Sequence, residues 1–70
     1  MKPIEMIPLA EYPELRMLAW SFPGTEIEAD RALALYERNW HFIREDDLLD
    51  VERELIKHLK DAYGNGVLNV

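Results

Sequence analysis

Prolines at positions 3, 8 and 13 recur every five residues. Each lacks a backbone N–H and biases the residue before it toward extended geometry, so no helix can run through the first dozen positions. Residues 1–12 are therefore expected to form an extended arm, with Ile4, Met6, Ile7 and Leu9 laid across a core. The spacing is not the P-x-x-P that aromatic grooves read, which argues against a proline-ligand role.

Beyond the arm the apolar period is helical. Pro13 suits the first helical position, where its missing N–H would have no partner anyway, and predicts a short helix over about 13–20 with Leu15, Leu18, Ala19 and Phe22 on one side. Ser21-Phe22-Pro23-Gly24 is a turn, and Thr25-Glu26-Ile27-Glu28 has the form of a capping box, which predicts a second helix over about 26–42. Its wheel gathers Ala29, Ala32, Leu33, Tyr36, Trp40 and Ile43 on one face, while Leu35 and Phe42 form a second seam. Leu48, Val51, Leu55, Leu59 and Ala62 stripe a third helix over about 48–63, capped by Asp47 or Asp50 and ended by Gly64 as a left-handed residue. The short connection between the second and third helices implies an antiparallel hairpin. The tail 64–70 is apolar and β-prone at its end, with the composition of a short strand that pairs with the arm or with another subunit. The expectation is one small domain over 1–70, mainly α with three helices.

A chain of 70 residues buries only roughly 60% of its unfolded surface. With no cysteine, neither disulfides nor thiolate zinc sites supplement that core. Packing, self-association or a partner must do so. Fourteen Asp and Glu against eight Lys and Arg give a net charge of −6, a field that repels phosphate and argues against sequence-independent nucleic-acid binding. Glu5, Pro8 and Glu11 interrupt the N-terminal stretch, and no run approaches membrane-spanning length, so neither a signal peptide nor a spanning helix is expected and the cytoplasm is the expected compartment.

Chemistry-bearing patterns are few. Ser21 and Thr25 are the only hydroxyls besides the tyrosines, and turn and cap account for both without nucleophilic catalysis. Glu37-x-x-x-His41 and Glu54-x-x-x-His58 place each imidazole one turn after a carboxylate, but their spacing differs from the Glu-x-x-His of di-metal bundles, and solvated intrahelical pairs explain them. Glu45, Asp46, Asp47, Asp50 and Glu54 cluster without the alternation or central glycine of a calcium loop, which leaves at most weak divalent binding. Gly64-Asn65-Gly66 follows a helix instead of opening one, the wrong end for a phosphate. Arg53, Lys57 and Lys60 stripe the third helix and are the one place where a nucleic-acid reading stands, beside the plainer one of a solvated face.

Leu35-Tyr36-Glu37-Arg38-Asn39-Trp40 and the ending Gly64-Asn65-Gly66-Val67-Leu68-Asn69-Val70 resemble short bacterial proteins of about this length. The resemblance implies a small stand-alone protein and carries over no functional residue. The expected function is that of an acidic protein-protein interaction module or subunit, with a homodimer as one form. Its contact residues are Trp20, Leu35, Phe42, Val67, Leu68 and Val70. No catalysis, cofactor, metal, small molecule or membrane is expected. The alternative is a nucleic-acid-associated regulator of antitoxin-like type acting through Arg53, Lys57 and Lys60.

Overall fold

The computed structural model describes residues 5–68. The arm enters as strand β1, Met6–Pro8, turns through a 3-10 segment at Leu9–Glu11 and leads into α1, Pro13–Leu18. A loop then reaches strand β2, Glu26–Glu28, followed directly by α2, Ala29–Asn39. Two 3-10 turns, Trp40–Phe42 and Glu45–Asp47, connect α2 to α3, Asp50–Tyr63. The fold is mainly α with three helices, as the periodicity predicts, and α3 lies against α2.

The capping box does not form. Thr25 and its neighbours are drawn into an antiparallel ladder in which Ile7 faces Ile27, and the Leu9 N–H donates to the Thr25 carbonyl at 3.0 Å. Burying the two isoleucines to 4% and 2% exposure outweighs the cap. α2 therefore starts three residues later than predicted. The N–H of Ala29, one of the orphan donors of the new helix end, finds the carbonyl of Glu5, the residue ahead of β1, at 2.9 Å, so backbone from the arm satisfies a donor at the helix start in place of a side-chain cap.

The other boundaries also shift for local reasons. α1 stops at Leu18 because Ala19 leaves helical geometry. α2 gives way to a 3-10 turn after Asn39, whose side-chain amide donates to the Leu35 carbonyl at 2.9 Å, a back-bond that loosens a helix end. Neither Asp47 nor Asp50 caps α3; Leu49 occupies that place and no side chain bonds there. Gly64 is not left-handed: its φ is −118°, and Asn65 and Gly66 carry the positive φ of 56° and 83°. Gly64 is needed for space, since a Cβ there would lie 2.7 Å from the Val67 carbonyl oxygen. The N–H groups of Gly64 and Gly66 both reach the Lys60 carbonyl at 2.8 Å and close α3.

β1 pairs with β2 and not with the tail, which among the described residues forms a turn rather than a strand; Asn69 and Val70 lie outside them. Ile4 lies outside them too, and Met6 is exposed, so of the arm's expected core residues Ile7 and Leu9 are the buried ones. The core gathers these with Leu15, Ile27, Ala32, Leu33, Tyr36, Leu55, Ile56 and Leu59. Among the described residues no helix is long and apolar enough to cross a membrane.

Candidate interaction surface

Two polar clusters tie the elements together. Glu52, in the first turn of α3, points inward and is 1% exposed. Its Oε2 accepts from the Leu15 N–H at 2.8 Å and from the Tyr36 hydroxyl at 2.6 Å, and its Oε1 from the Glu14 N–H at 3.1 Å. Pro13 has no N–H, and Arg16 donates to Tyr12, so with Glu52 in place the first turn of α1 has no orphan donor left. A side chain from α3 thus caps a helix 37 residues away in sequence. Burial first, and the bond to the Glu52 carboxylate second, hold the Tyr36 phenol far above its ordinary range, so it remains a donor. Buried and bonded on both oxygens, Glu52 is structural. Sequence reasoning missed it, although the signal was present: positions 52, 55 and 59 share an i, i+3, i+7 stripe of α3.

The second cluster corrects the pairing expected for His58. Its Nε2 lies 3.0 and 2.9 Å from the two carboxylate oxygens of Glu5, not against Glu54, and the Tyr63 hydroxyl donates to the same carboxylate at 2.9 Å. Hydrogen bonds from His58 and then Tyr63 hold the Glu5 carboxyl below its ordinary range, and the Tyr63 phenol is raised in return. His41 sits on the exposed turn after α2, a different element from His58. Among the described residues no three metal-ligating side chains come together.

The basic stripe is divided. The Arg53 Nη2 donates to the carbonyls of Glu45 at 2.9 Å and Asp46 at 3.3 Å, and its Nη1 pairs with Asp50 at 3.4 Å, so this guanidinium clamps the acidic turn. Lys57 and Lys60 border a cleft of about 270 Å³ with Trp40 and Leu68, which pack partly buried against the core.

Several large apolar side chains stand exposed on different elements. Trp20 is 84% exposed, Phe42 82%, Met17 69% and Val67 64%. Leu35 is half-buried against the core, and Val70 lies outside the described residues. Two clefts flank the α1 end. One, of about 480 Å³, runs beside Leu9, Arg16, Met17 and Trp20. The other, of about 380 Å³, runs between α1 and α2 past Leu18, Ile27, Leu35, Arg31 and Arg38. Ala19 and Phe22 border both, making one continuous face. Arg16, Arg31 and Arg38 form no ion pair among the described residues. The face can hold an apolar segment and offers three cations to acidic groups flanking it.

The chain matches no protein-family profile, no curated protein and no solved structure.

Proposed function

We propose that the protein is a small protein-interaction module of the cytoplasm, receiving an apolar segment with acidic flanks on the face shared by the two α1 clefts. The observation that carries this reading is Trp20. A tryptophan left 84% exposed beside a ready cleft is the anchor type that dominates binding where partners meet. Among the described residues Glu52 is the buried carboxylate, and it is engaged in holding α1. The antitoxin-like reading is the weaker one: with Arg53 clamping the turn, Lys57 and Lys60 alone remain of its stripe, against a net charge of −6.

The test is affinity capture from the source cells with the full chain and with Trp20→Glu. A protein retained by the parent and lost by the variant supports the module. Equal capture by both overturns the assignment of this face.

A further inference from the structure

We infer that the occupant of the α1–α2 cleft is a second copy of this chain, which inserts Phe42 and sets the acidic turn 45–47 against Arg31 and Arg38. The inference rests on the reading above, that this face is a contact surface, and names its partner.

The chain carries both halves of the contact. The cleft has apolar walls, Leu18, Phe22, Ile27 and Leu35, and a cationic rim, Arg31 and Arg38, unpaired among the described residues. The complementary segment begins at Phe42, 82% exposed, and continues through Glu45, Asp46 and Asp47, all exposed. Arg53 takes the carbonyls of Glu45 and Asp46, not their carboxylates, so the negative charge of this turn is open to a cation from outside. In an acidic molecule, the sign reversal between rim and turn is the arrangement that steers two copies into register.

The placement allows the contact to be mutual. Arg31, Leu35 and Arg38 recur at helical spacing along one face of α2, and Phe42 follows in the 3-10 turn just past the end of that helix, outside the lining of the cleft. Phe42 projects outward there and does not fold back onto its own cleft. A two-fold axis across this face lets each copy place its Phe42 in the other's cleft, an isologous contact that closes at the dimer. A stable interface takes about 800 Å² per copy, roughly one seventh of the 5322 Å² accessible surface of the whole chain.

Sedimentation of the full chain decides it, with circular dichroism confirming that each variant is folded, since the changed side chains are all exposed. The parent chain is expected to reach about twice its 8.3 kDa mass at high micromolar concentration and to weaken with added salt. Phe42→Glu should sediment as monomer. Arg31→Glu should weaken the dimer about tenfold or more, and combining it with Asp46→Lys and Asp47→Lys should restore much of the loss, because both reversed charges are then present on each copy. A chain that stays monomeric into the millimolar range overturns the inference; if Trp20-dependent capture persists in that case, the face keeps its role and a different protein fills it. A dimer indifferent to Phe42→Glu and Arg31→Glu forms through another surface and overturns the inference as well.

Discussion

Glu52 shows how much one side chain can organise in a chain this short. It joins three helices through two backbone N–H groups and one hydroxyl, with the Leu15 and Tyr36 bonds buried and the Glu14 bond part-buried. Glu52→Ala would leave those donors unsatisfied beside a void, at a cost of about 3 to 5 kcal/mol, a large share of the stability of a 70-residue domain. Tyr36→Phe removes one bond and leaves the α1 cap intact, so about 1 to 2 kcal/mol is expected. Urea unfolding of both variants checks the ordering, and equal losses would assign the energy to the hydroxyl instead of the cap. Glu5 gives a pH-dependent contribution of known sign. Its pKa is lowered in the folded state, so its stabilisation is present above the unfolded carboxyl range and is lost as pH falls through the lower folded value. The pair is half exposed, with side chains 50% and 40% accessible, which limits the effect to a few tenths of a kcal/mol. Thermal melts below about pH 4.5 should show Glu5→Gln converging on the parent, with the gap reopening toward neutral pH.

Elements differ in how plainly the sequence encodes them. α2 and α3 are read from the spacing of Ala29, Ala32, Leu33 and Tyr36 and of Leu55, Ile56 and Leu59, because a buried helical face leaves its period in every turn. The strands are three residues each, too short for an alternating pattern to declare itself, and the local signal at Thr25 points to a cap. What decides between them is the pairing of Ile7 with Ile27 across twenty residues, which no local window contains. The same limit hid Glu52, whose partners Glu14 and Leu15 lie in another helix, although the stripe it interrupts was visible. Of the expected contact residues, Trp20 and Phe42 are exposed as a docking role requires, whereas Leu35 and Leu68 are partly absorbed by the core. The hairpin is separable from a cap by mutation. Thr25→Ala should change stability by less than about 0.5 kcal/mol, where loss of a true N-cap costs about 1. Ile27→Ala should cost about 2 to 4 kcal/mol. A large loss at Thr25 in thermal unfolding would reinstate the capping box.

At the scale of the molecule, the core and the proposed contact surface draw on different apolar residues. Leu15, Ala32, Tyr36 and Leu59 are fully buried at the centre of the core, while Met17, Trp20 and Phe42 contribute little to it because most of their surface still meets water. A chain with so few residues leaves this much aromatic surface uncovered at a cost in solubility that its net charge of −6 offsets by repulsion between copies. That repulsion is local rather than uniform: Arg16, Arg31 and Arg38 beside the α1 clefts lower it where docking is proposed. Stability and association should therefore separate. Trp20→Ala should leave the urea midpoint unchanged within about 0.5 kcal/mol of stability, since an 84% exposed side chain has little packing to lose. The same change should weaken partner binding by about 2 kcal/mol or more, roughly 30-fold, because an anchoring tryptophan is desolvated only in the complex. Titration calorimetry against the captured partner, alongside urea melts of the same sample, reads both quantities. A variant that loses stability and binding in proportion would make Trp20 a core residue and remove the physical basis of the proposed surface.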